Sequence, residues 1–275
     1  MIIAVISPQK RNAGATSIAA LIGASLSKQN RSTLLLNTAA HSDSLNMYFG
    51  IHNVGDAPAS QLLSLVKMGG AKKESIPNYC FSVNRSYDVF SVDESVKDKA
   101  AVDEVHEYLK SGAPYDYIVC DVDTAMDDER TAHVLSQADC VVVVLNSQIK
   151  NLVKFFEIKK DFVKLIKHKP VVTVLNNYDQ EVCRKEDAAK IVNVKNKATI
   201  NRWCTVHTNR YIPYCENRGQ LPLLFEEMGK RTSQTMMLAT DTNNIIKQII
   251  RIQTEISKHR IQMGTKTIRS EETEE

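Results

Sequence analysis

The sequence predicts an α/β protein with a doubly wound, mostly parallel sheet and helices on both faces. Apolar runs without polar alternation, Cys140 to Leu145 above all, suit strands covered on both sides. Such runs alternate along the chain with amphipathic stretches of helical length. No long Gly/Ser linker or composition break divides the series.

The elements follow in order. Met1 to Ile6 reads as the first strand, Lys10 to Ser17 as a tight loop, and Ile18 to Lys28 as a helix. That order aims the unpaired N–H groups and positive dipole end of a helix at whatever lies beyond the strand. Ser32 to Leu36 is a second strand and Asn37 to Gly50 the loop after it. Pro58 to Met68 is helical, with Leu62, Leu63, Leu65 and Val66 on its apolar face, and Gly69-Gly70 ends it. Cys80 to Val83 and Tyr87 to Val92 fit a hairpin or two separate strands. Lys99 to Lys110 is a helix, Tyr115 to Cys120 a strand, Lys150 to Lys167 an amphipathic helix, and Val171 to Leu175 a further buried strand. A closing helix runs from about Asp241 to Gln262, with Ile245, Ile249, Ile252 and Ile256 at helical spacing. One domain is expected over 1–262, and a disordered acidic tail over 263–275.

With 275 residues, 43% of them hydrophobic and 24% charged, the chain is long enough to bury a core and ordinary in composition. Its longest apolar run is too short to cross a bilayer, and the N-terminus lacks the basic region and cleavage site of a secretory leader. A cytoplasmic location is expected. The six cysteines form no CxxC pair and read as small hydrophobes in a reducing compartment, without disulfide or metal. The histidines show no ligand spacing, and His41, His106 and His207 read as ordinary surface or loop residues.

The loop carries the strongest motif. Lys10-Arg11-Asn12-Ala13-Gly14-Ala15-Thr16-Ser17 resembles the deviant Walker A motif, KGGxGKT[TS], of the ParA/MinD superfamily of P-loop ATPases. Lys10 falls at that family's signature lysine, which reaches across a nucleotide-sandwich dimer to the partner's ATP. Gly14, Thr16 and Ser17 match; Arg11 and Asn12 replace two glycines, and Ala15 replaces the central lysine. Tyr115 to Asp121 resembles the Walker B strand, Ala138 to Val144 the AD-VVVV strand, and Val171 to Asn176 the strand ending in VLN. Tyr211-Ile212-Pro213-Tyr214 with Leu221-Pro222-Leu223 resembles the region that closes the nucleotide pocket. The match runs in the family's order from Met1 to about Leu224.

This resemblance implies a P-loop NTPase fold, ATP or ADP with Mg²⁺, and a homodimer. It implies nucleotide contacts at Lys10, Asn12, Gly14, Ala15, Thr16, Ser17 and Pro213, catalytic roles for Lys10 and Asp121, and metal contacts at Thr16 and Asp121. Asn176 and Asn177 stand where relatives meet the adenine ring, although Asn-Asn-Tyr-Asp also suits a turn. Asp123, where relatives carry proline, reads as a surface charge. The second strand aligns with LLxDxD, so Asn37 and Ala39 replace both acids, and Asp43 lies too far along the loop to substitute. A phosphate lysine and a water-orienting acid act on transition-state charge and geometry. At about 1.4 kcal/mol per tenfold, losing both slows hydrolysis by several orders of magnitude.

The expectation is therefore a dimeric positioning or adaptor factor that binds ATP without turning it over efficiently. Members of the TadZ/CpaE type, which localise pilus or secretion machinery, are the nearest analogy, and plasmid or mobile-element partition is a second setting. The alternatives are an active ParA-type partition ATPase and a nucleotide-independent DNA-binding scaffold. Net charge is +3 overall, but Lys150 to Arg210 holds 14 Lys and Arg against 6 Asp and Glu. That segment is either a solvated face or a patch for nonspecific DNA. The closing helix, with Lys247, Arg251, Lys258 and Arg260, resembles the membrane helix of MinD, but its isoleucine stripe reads as core packing and peripheral membrane contact as secondary.

Overall fold

The computed structural model describes residues 1–9, 13–38, 44–51, 58–91, 99–112, 114–122, 129–230 and 235–271. The strands are β1 (Ile2–Ile6), β2 (Thr33–Asn37), β3 (Phe81–Asn84), β4 (Tyr87–Phe90), β5 (Tyr117–Val122), β6 (Cys140–Asn146), β7 (Val171–Tyr178) and β8 (Cys204–His207). They form one sheet in the order β3-β4-β2-β5-β1-β6-β7-β8. All neighbours are parallel except β3 and β4, an antiparallel hairpin whose second strand runs parallel to β2. The hairpin alternative is the one the chain adopts over Phe81–Phe90; Val92 lies outside the described residues.

Period-two alternation sorts the side chains into two cores. Ala4 and Ile6 of β1 and Val141, Val143 and Leu145 of β6 face one side; Ile3, Val5, Cys140, Val142 and Val144 face the other. The first side is covered by α3 (Pro58–Lys67), α4 (Lys99–Gly112), α5 (Glu129–Gln137), α6 (Ile149–Ile166) and α7 (Lys185–Ile191). The second is covered by α1 (Ala15–Ser27), α2 (Ser44–Phe49), α9 (Tyr211–Glu216), α10 (Leu221–Lys230) and α11 (Met236–Glu271); α8 is Lys197–Asn201. Since α1 leaves β1 on one face and α5 leads from β5 to β6 on the other, the winding reverses around β1. Ligands of doubly wound sheets bind beyond the carboxyl ends of the strands at such a point.

Several boundaries differ from the sequence reading. Helix α1 begins at Ala15, so Thr16 and Ser17 belong to its first turn and not to the loop. The stretch expected as a loop from Asn37 to Gly50 holds the end of β2 and all of α2, which Leu45 and Phe49 pin by burying one helical face. Strand β7 runs on to Tyr178 and includes both asparagines. Helix α11 does not stop at 262 but continues to Glu271; Ile245 and Ile249 are fully buried, as core packing requires. His106 is not a surface residue, for it follows Val105 on the buried face of α4 and is 4% exposed. His207, at the end of β8, pairs through Nδ1 and its backbone N–H with Asp241 at 2.9 Å.

The outer strands β3 and β8 have four residues each, and each pairs with its neighbour across a shift in register. Among the described residues, no helix is long and apolar enough to cross a membrane.

Candidate functional site

The N-terminus of α1 opens onto the reversal point. Its cap, Gly14, has φ +78°, a left-handed conformation that costs a side-chain-bearing residue about 1–2 kcal/mol. A Cβ there would also lie 2.3 Å from Asn176 Nδ2. The Asn176 amide donates to the carbonyl of Ala13 at 2.8 Å, which fastens the end of the loop to β7. Ala15 and Thr16 are half-buried and Ser17 is buried. The first turn carries no acidic residue, and Gly14 offers no side-chain cap.

The strand ends beside this turn are tied together by side chains. Asp121, buried near the end of β5, is level with Val5 of β1 and Asn37 of β2. Thr38 donates to the Asp121 carbonyl through its N–H at 3.0 Å and its hydroxyl at 2.7 Å. Asn37 turns its amide to the Ser91 hydroxyl at 3.1 Å. Gln9, just after β1, donates to the carbonyl of Asn151 at 2.7 Å and accepts from the N–H of Asn146 at 2.8 Å. Asn146 stands level with Asn176 at the ends of β6 and β7, and Ser147 binds the carbonyls of Asn176 and Asn177. Asn177 is exposed, at φ +51°, where β7 shifts register against β8. Of the two asparagines, Asn176 therefore faces the loop.

The other wall is α9. Pro213 lies exposed within it. Tyr211 and Tyr214 stack at 5.7 Å, with the Arg218 guanidinium 4.3 Å above the Tyr214 ring. At the end of α9 the Glu216 carboxylate accepts a hydrogen bond from the Ser17 hydroxyl. Burial raises the Glu216 pKa above the ordinary carboxyl value, and the Ser17 bond offsets this only in part. Tyr48 of α2 is also raised, first by burial and then by the charges of Glu216 and Asp121, so both carboxylates act on one phenol. Two glycines join α2 to α9: Gly50 at φ +67° and Gly219 at φ +63°. A Cβ on either would come within 2.7 Å of the other's backbone.

The fold thus gathers Gly14, Ala15, Thr16, Ser17, Asp121 and Asn176 at one end of the sheet, while Pro213 points to solvent on α9 and Asn177 turns outward. Lys10, Asn12, Ala39, His41, Asp43 and Asp123 lie outside the described residues. Glu216, Gln9 and Asn146 enter the site without a motif announcing them. A Mg²⁺-nucleotide finds part of what it needs here: Thr16 and Asp121 offer hard oxygen ligands, and Gly14 lets backbone approach a phosphate. The central lysine is absent, and Glu216 brings negative charge to the first turn. Among the described residues, no group of three His, Cys, Asp or Glu side chains could hold a metal ion alone.

No protein-family model matches the sequence, and neither does any curated protein. Solved structures do match in fold. A ParA family ATPase from Chlorobium tepidum superposes with a TM-score of 0.64 at 16% identity, over 88% of this chain and 96% of that one. The chain has the ParA/MinD fold. A chain of the MinC:MinD cell division protein complex of Aquifex aeolicus gives 0.64 at 20% identity, over 90% of this chain and 95% of that one. A putative plasmid partition protein from Borrelia burgdorferi, solved with AMPPNP, gives 0.63 at 16%, over 91% of this chain and 98% of that one. In this chain the reversal point described above lies between the end of β1 and the first turn of α1.

Proposed function

We propose that the chain is a degenerate member of the ParA/MinD superfamily, a cytoplasmic, single-domain and homodimeric positioning or adaptor factor of the TadZ/CpaE kind or of a partition system. It holds a Mg²⁺-nucleotide weakly and hydrolyses it poorly. The observation that supports this reading is an uneven retention of the motif: Gly14, Thr16, Asp121 and Asn176 are kept and lie at one end of the sheet, whereas Ala15 replaces the central lysine and Asn37 and Ala39 replace the two acids of the second strand. Bound nucleotide would supply the phosphate charge and Mg²⁺ that hold the loops of a dimer together. Thr16 and Asp121 would orient the ion, first-turn N–H groups of α1 the phosphates, and Asn176 the loop itself; Lys10 is assigned to the partner's nucleotide. The plasmid partition protein solved with AMPPNP gives a precedent on the same fold.

Nonspecific DNA binding through the segment from Lys150 to Arg210 is a secondary activity in this reading. Some of its cations are spent internally: Lys159 donates to the carbonyls of Val192 and Asn193, and Lys169 to those of Ser136 and Ala138.

The test is calorimetric titration of Mg·ATP into wild type and Asp121→Ala, with phosphate release measured on both. Weak binding by wild type, lost in the variant, with release near the blank, is expected. Release that Lys10→Ala abolishes would establish the active ATPase instead. Silence of both proteins at millimolar ATP would leave the nucleotide-independent scaffold.

A further inference from the structure

The first turn of α1 already meets an anion, and it belongs to the chain. Helical side chains lean toward the N-terminus, so the hydroxyl of Ser17, third residue of α1, is directed back along the first turn. That hydroxyl donates to Glu216, 199 residues away. With no acid of its own in the first turn and no side-chain cap at Gly14, α1 receives from α9 the carboxylate that its dipole favours. The carboxylate is fixed from behind. Cys215 beside it is buried, the Gln220 N–H returns to the Cys215 carbonyl at 2.8 Å, and Gly219 is locked against Gly50.

We propose that Glu216 is the built-in occupant of the anion seat at the N-terminus of α1, and that a nucleoside phosphate enters only when this carboxylate leaves. The proposal rests on the nucleotide reading above and names the regulation of that same site. A phosphate and a carboxylate cannot share one first turn at low cost, because like charges a few ångströms apart in a partly buried place repel strongly. Nothing at position 15 compensates, since the lysine of the ordinary loop is Ala15. Asp121 adds a second negative charge on the same side, felt with Glu216 at Tyr48. Glu216 thus sets the threshold for occupancy, and a partner that draws α9 away from α1 would open the seat.

The experiment is titration of Mg·ATP into wild type, Glu216→Gln and Glu216→Ala, with thermal melting of each protein to show that the fold is kept. Glutamine preserves the shape and can still accept from Ser17, so it removes charge alone; alanine removes charge and bulk. Both variants should bind roughly tenfold or more tightly than wild type, a change of about 1.4 kcal/mol. Equal affinity in all three would overturn the gate while leaving the nucleotide site standing. Absence of binding in all three at millimolar Mg·ATP would overturn the nucleotide reading and the gate with it. Tighter binding by alanine alone would show obstruction by bulk and overturn the electrostatic gate.

Discussion

The side-chain amide of Asn176 donates to the backbone carbonyl of Ala13 across 163 residues, at 2.8 Å and in a buried position. This bond makes the end of β7 a wall of the loop before α1. Asn176→Ala should leave a buried carbonyl without its donor, at a cost of about 1–3 kcal/mol in urea unfolding. Asn176→Asp should cost at least as much, because a carboxylate accepts where a donor is needed. Stability unchanged in both variants would show that the loop does not depend on β7.

Substitution of Gly219 by alanine tests the joint between α2 and α9. It combines a left-handed backbone with a Cβ 2.7 Å from Gly50 Cα, and backbone cannot step aside as a flexible side chain can. The conformational term alone is about 1–2 kcal/mol. We expect a clear loss of stability, with faster hydrogen exchange over 211–216 and 44–49. Uniform exchange across the protein would contradict a local joint.

Acid should destabilise the protein in two steps through α4. His106 is lowered to about 3, first by burial and then by the charges of Lys110 and Arg130. The unfolded chain takes up its proton near pH 6.5 while the folded chain does not, so stability falls as pH drops from about 6.5 toward 3, by up to about 1.4 kcal/mol per pH unit. For Glu107 burial acts upward, but hydrogen bonds from Lys110, Gln137 and His133 outweigh it and bring the carboxyl to about 2. Its contribution is complete above about pH 4.5 and is lost on further acidification. His106→Leu should flatten the upper step in a urea series against pH, since it removes both the proton site and a buried Nε2 that has no hydrogen-bond partner.

Lys169→Ala should behave as a structural lesion and not as a DNA-binding one. Its ammonium donates to the carbonyls of Ser136 and Ala138 at the C-terminal end of α5, at 2.5 and 2.9 Å. Loss of about 1 kcal/mol is expected. Charge reversal of the exposed Lys154 and Lys160, by contrast, should leave the melting temperature alone and reduce any retention of duplex DNA, with a shallower salt dependence. If Lys169→Ala weakens DNA retention as strongly at full stability, the division between structural and free cations is wrong.

The central strands were legible because apolar runs such as Cys140 to Leu145 can be covered only from both sides; the margins were not, since residues 80–92 fitted a hairpin or two separate strands and the four residues of β8 went unread. Gly14 was legible as a match to the loop motif, and its left-handed φ supplies the physical reason for glycine there. Helix α2 was harder, because six residues give one apolar pair, Leu45 and Phe49, too little for periodicity to register. Asn177 reads as turn chemistry, and its left-handed φ agrees, yet the residue sits inside a strand at a break in register. Glu216 left no trace in the sequence. Its meaning comes from a contact with Ser17 that only the packing of α9 against α1 creates, and pattern along the chain carries no information about such a distance.

Both margins of the sheet end in four residues and a shift in register, at β3 and at β8. Neither offers a run of unpaired N–H and C=O groups long enough for a foreign strand to zip onto. Both edges therefore disfavour fusion of two copies of this chain into one continuous sheet.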